Sequence, residues 1–133
     1  MAINCSGNLL YNSGYGSAAT AYGVRAWVVF NGYGASIAIR GSGNCSSISD
    51  LGTGLYRFNF STNMPDANYF ATGSATPNSQ PDNTRWHLYG NSGYPSGVGD
   101  YDAPATSNFE FSTTRTDGTV FYDAQYVNAV VVR

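Results

Sequence analysis

The sequence predicts an all-β fold: an antiparallel β-sandwich of about eight or nine short strands, for which a jelly roll is one available form. Three observations carry this. Leu55 to Ser61 alternates strictly, with Tyr56, Phe58 and Phe60 on one face and Arg57, Asn59 and Ser61 on the other, the period of a half-buried strand. Turn signals built on the 16 glycines recur at short intervals along the 133 residues, as in sandwiches and barrels. No helical period extends over ten residues or more.

The elements follow in order. Residues 1–23 mix Gly, Ser, Ala and Asn with the apolar anchors Ile3, Leu9, Leu10 and Tyr11, and read as an arm for attachment or subunit exchange, or as a loose terminus. Residues 24–133 form the sandwich domain. Val24 to Asn31 is a nearly continuous apolar run through Trp27, Val28, Val29 and Phe30, the pattern of a strand buried on both faces. Asn31 to Gly34 supplies a hairpin turn into a strand over Ala35 to Arg40. Gly41-Ser42-Gly43-Asn44 reads as a reversal into Ser46 to Asp50, and Leu51-Gly52-Thr53-Gly54 as a second tight turn. Met64-Pro65-Asp66 stops the ladder, since proline removes a donor. Further strands are expected over Ala67 to Ser74, Arg85 to Tyr89, around Phe109 and Phe111, over Thr119 to Ala124 after the Asp117-Gly118 hairpin signal, and over Tyr126 to Arg133. Residues 75–84 and 90–106 are the long polar loops, where binding residues concentrate.

Composition excludes several functions. All six cations are arginines, scattered singly, and the net charge is −2. Nucleic-acid binding needs a basic stripe to displace counterions, so that class is rejected. No run approaches the ~20 apolar residues of a membrane span, and Met1 to Tyr11 lacks the pattern of a signal peptide. Only 11% of residues are charged while 15% are aromatic, which is low in charge for the surface of a soluble monomer. Either Ser, Thr, Asn and Tyr cover the surface, or much of it is buried between subunits. Eleven tyrosines suit both sheet packing and a rigid contact surface.

The chemistry-bearing residues are few. His87 is the single histidine; it lies on an expected strand, without a second ligand or a nucleophile elbow, and reads as a solvent-facing sheet residue. Asp66, Asp82, Asp100 and Asp102 sit in turns, where aspartate bonds its own backbone. A glycosidase could use two such carboxylates, and a small glycan depolymerase acting through Asp102 is the remote alternative. No cofactor or metal site is expected. The loop aromatics Trp86, Tyr89, Tyr94 and Tyr101, with Asp100 and Asp102 as hydroxyl acceptors, are the candidate ligand-binding set. The same aromatics could instead fill a seam between subunits.

The strings AWVVFNG, AIR, SSISDLGTGLYRFNF and MPDANY, with the closing YVNAVVVR, resemble a surface module of tailed-phage virion proteins, found in tail-fibre and receptor-binding proteins. The resemblance spans residues 24–133, strongest over 26–69 and weakest over 75–118. It implies a non-enzymatic virion protein, a homotrimer assembled in the host cytoplasm with other tail or capsid proteins, contacting host-surface glycan through the two long loops. It carries no catalytic residue. A disulfide between Cys5 and Cys45 is geometrically open; the reducing cytoplasm that the resemblance implies favours two thiols. Fibre proteins carry this module after a long shaft, whereas here about 23 residues precede it, too few to bridge from baseplate to host. The alternative is therefore a capsid decoration protein, a cement or head-fibre subunit.

Overall fold

Two four-stranded antiparallel sheets face each other across an aromatic core. A computed structural model describes residues 7, 10–11, 19–20, 23–34, 36–76, 84–88, 104–115 and 120–133; for 11, 19–20, 84–88 and 115 it describes the backbone alone. In chain order the strands are β1 (Leu10–Tyr11), β2 (Ala19–Thr20), β3 (Val24–Asn31), β4 (Ala38–Gly43) and β5 (Cys45–Gly52). Then come β6 (Leu55–Phe60), β7 (Phe70–Thr76), β8 (Thr84–Leu88), β9 (Asn108–Arg115) and β10 (Tyr126–Val132). The first sheet runs β4-β3-β10-β7 and the second β5-β6-β9-β8, while β1 and β2 pair with each other. The expected all-β sandwich is what the chain forms.

Alternation drives the two sheets together. Ala26, Val28 and Phe30 of β3 and Val127, Ala129 and Val131 of β10 point inward, against Tyr56, Phe58 and Phe60 of β6 and Phe109 and Phe111 of β9. Phe58 and Phe109 stack with centroids 5.1 Å apart, and Phe30 meets Tyr56 edge-on at 5.0 Å. Such ring pairs add to the burial of apolar area. On the outer side of the second sheet, Arg57 and Glu110 lie directly opposite. Arg57 Nε donates to Glu110 Oε1 at 2.8 Å, and the carboxylate is almost wholly buried.

Several boundaries differ from the sequence reading, each for a physical reason. The second strand begins at Ala38, not Ala35 (itself outside the described residues), because Asn31 closes a local turn. Its Oδ1 accepts from Tyr33 N and its Nδ2 donates to Tyr33 O, each at 3.1 Å. Gly41 to Gly43 are extended and do not reverse the chain. The change of sheet is made by Asn44 alone, at φ 51°. Asn44 Oδ1 accepts from Thr62 N at 2.7 Å, and its Nδ2 lies 3.0 Å from Thr62 O and 3.3 Å from Arg25 O. Asparagine tolerates this left-handed backbone because its short side chain bonds locally. The strand expected over Ala67 to Ser74 is shifted to Phe70–Thr76, because Asp66 holds residues 66–68 in a turn by accepting from Asn68 N at 2.7 Å. Of the strand expected over Thr119 to Ala124, the described residues 120–124 make one ladder contact, a bridge from Phe121 to Thr114; Asp117-Gly118 and Thr119 lie outside the described residues.

The turn between β5 and β6 is read correctly. Gly54 has φ 65°, and its N–H donates to Asp123 Oδ1 at 2.6 Å. The Tyr56 hydroxyl donates to the same oxygen at 3.1 Å. Burial, reinforced by that carboxylate, pushes the Tyr56 phenol far above its ordinary titration range.

Candidate functional site

The residues that carried the phage resemblance lie together as fastenings of the fold. Met64 is buried, and its N–H donates to Thr106 O at 2.8 Å. Asp66 forms a two-pronged ion pair with the closing Arg133, whose Nη2 lies 2.5 Å from Oδ2. The Tyr69 hydroxyl lies 3.0 Å from Ala105 O and 3.1 Å from Asn108 O, pinning the end of the long loop onto β9. The MPDANY box thus ties together the loop base, the start of β7 and the chain's last residue. Its contacts run to backbone through Met64 and Tyr69 and to the Arg133 guanidinium through Asp66.

Tyr69 gives this fastening a pH signature. Burial raises its pKa from the ordinary 10.0 to about 12, so the folded state holds the phenolic proton more tightly than the unfolded chain. The associated stability is complete below the unfolded value and is lost as pH rises through the folded one. Chemical denaturation of the wild type is expected to show falling stability between pH 10 and 12. Tyr69→Phe is expected to reduce that slope, leaving the share of the buried Tyr56, while lowering stability at neutral pH. A slope unchanged by the substitution would show that Tyr69 is not its source.

Of the sequence candidates, Trp86 lies in β8 with its backbone opposite Thr113; its side chain is outside the described residues. Tyr89, Tyr94, Asp100, Tyr101 and Asp102 are all outside them, as are Cys5 and Asp82. The candidate set, the Trp86 backbone apart, thus lies outside the described residues. His87 is opposite Ser112 on β9. Cys45 is a free thiol whose pKa burial raises. Among the described residues no group of three His, Cys, Asp or Glu could hold a metal, and no helix is long and apolar enough to cross a membrane.

The feature that sequence reading missed is the outer face of the first sheet. The run Val24–Asn31 is buried on one face only: Ala26, Val28 and Phe30 are inside, while Trp27 is 42% exposed. Register places Trp27 beside Val130 and Gly43, Val29 beside Asn128 and Gly41, and Phe70 beside Val132. Phe70 is 65% and Val24 61% exposed. At one end Arg40 stacks on the Tyr126 ring, its guanidinium carbon 3.9 Å from the centroid, and it donates to Gln125 O at 3.3 Å. Asn128 and Ser74 bond each other across β10 and β7. The sequence did hold a signal. Gly41 and Gly43 fall opposite alternate residues of β3; a Cβ on Gly43 would strike the Trp27 indole and one on Gly41 would crowd it.

Among the described residues the fold is a two-sheet β-sandwich whose first sheet leaves Val24, Trp27 and Phe70 exposed on its outer face. Comparison of the chain with protein-family models, with curated proteins and with solved structures finds no match.

Proposed function

We propose that this chain is a non-enzymatic structural protein of a tailed-phage virion, of the tail-fibre or receptor-binding type, which assembles as a homotrimer and contacts glycans of the host surface. The observation that carries the reading is the outer face of the first sheet. Val24, Val132 and Phe70 form an apolar row across β3, β10 and β7, with Val24 and Phe70 exposed, and a row of this kind marks an interaction surface. Together with a chain only 11% charged, this favours burial between copies over exposure to water. The fastening role of MPDANY and Arg133 also fits the resemblance, which concerns a displayed fold and no catalytic chemistry.

Two measurements test the reading. Light scattering on the purified protein is expected to give three times the chain mass. Phe70→Asp, which puts a charge on the β7 edge of the apolar row, is expected to give the monomer with little loss of subunit stability. A wild-type monomer at micromolar concentration would refute the trimer. Immunogold labelling of virions is expected to mark the tail. Label on the head would replace the fibre assignment with capsid decoration, and absence of label from virions would overturn both.

A further inference from the structure

We propose that Trp27 and Arg25 form a subsite for an acidic pyranose, a hexuronate-type residue of a polysaccharide. The inference deepens the glycan-contact reading above by naming a sugar class, and it places the contact on the β4 edge of the first sheet instead of on the long loops.

The geometry of Trp27 comes first. A Cβ built on Gly41 would lie 3.3 Å from the indole Cη2 and 3.4 Å from Cζ3. One built on Gly43 would collide with Nε1 and lie 2.9 Å from Cδ1. Those Cβ positions rise from the outer face of β4, so the indole is laid lengthwise over the strand, spanning both glycines. The indole thus packs against both glycines and still keeps 42% exposure, which leaves ring surface open to solvent. A seated ring with open surface suits the C–H face of a pyranose. The ring's negative quadrupole attracts the polarised C–H groups, and a ring seated on the strand loses less side-chain entropy on binding than a free one.

Charge then selects among sugars. The four strands of this sheet contain two arginines, Arg25 and Arg40, and no Asp or Glu. They do so in a chain of net charge −2. β3 bulges at Arg25, where Val132 pairs with Val24 while Val131 pairs with Ala26; exposed Arg25 and Trp27 flank the inward Ala26, which puts both on the outer face, about 7 Å apart along β3. A carboxylate on a sugar stacked over the indole lies within reach of that guanidinium, and guanidinium–carboxylate pairing is directional and strong. A neutral hexose uses the ring alone.

The test uses the full-length protein and the indole N–H resonances of its two tryptophans, with that of Trp27 assigned from Trp27→Phe. Methyl glucuronide is expected to shift the Trp27 signal in the millimolar range, and methyl glucoside to bind about tenfold more weakly. Added salt is expected to narrow the difference. Arg25→Gln is expected to remove the preference for the acid while the glucoside response persists. Gly43→Ala, which lifts the indole from its seat, is expected to abolish both responses. The inference is overturned if neither sugar moves the Trp27 signal, if both bind equally, or if Trp27→Ala dissociates the oligomer, which would make the indole part of a subunit seam. Mass and virion labelling are read separately, so a trimeric tail protein that ignores glucuronide would refute this subsite alone.

Discussion

Gly54→Ala is expected to destabilise the protein by about 4 kcal/mol, combining left-handed strain with overpacking. Gly54 has φ 65°, where an alanine is already strained. Its Cβ would also stand 2.5 Å from Thr113 O and 2.6 Å from Tyr122 N. These are backbone atoms of a ladder that cannot give way, since Thr113 N donates to Gly54 O at 2.8 Å and Tyr122 N to Thr113 O at 3.0 Å. Gly34 is the control. Its φ is 109°, but nothing lies within 4 Å of its Cβ position. Gly34→Ala is therefore expected to cost only the backbone share, about 1–2 kcal/mol. Urea denaturation of the two variants separates the contributions. Equal losses would show that the crowding at Gly54 relaxes freely.

Phe109→Ala is expected to cost about 3–5 kcal/mol, the range for deleting a buried ring. Phe109 is wholly buried and sits at the centre of the aromatic cluster. Its centroid is 5.1 Å from Phe58, 5.7 Å from Phe111, 5.9 Å from Phe60 and 6.1 Å from Tyr69. Removing it leaves four rings without a partner on one side, and the sheets cannot close the gap without breaking the β6–β9 register. A loss comparable to the whole stability of a small domain is expected to appear as loss of near-ultraviolet dichroism at ambient temperature. Phe70→Ala, by contrast, removes an exposed ring and is expected to change subunit stability by less than about 0.5 kcal/mol.

Much of the fold was legible because period-two alternation is local. Leu55–Phe60, Asn108–Arg115, Thr84–Leu88 and Tyr126–Val132 are strands where alternation or an apolar run indicated them. Ends were less legible. Asn31, Asn44 and Asp66 set them through side-chain bonds to backbone two to eighteen residues away, and spacing alone does not say which of those bonds will form. The loop candidates Tyr89, Tyr94, Asp100, Tyr101 and Asp102 lie beyond the described residues, so the surface open to argument is a different one, centred on Trp27.

By itself the sequence determined the class of fold, the position of the turn at Gly54, and the absence of a basic stripe, because each depends on residue type and short-range spacing. Tertiary structure alone decided which face of Val24–Asn31 is covered, because an apolar run on both sides of a strand does not reveal what lies across from it. It also decided the meaning of Gly41 and Gly43. As a string they read as a turn. Placed beside Trp27 on a neighbouring strand, they are the seat of an indole.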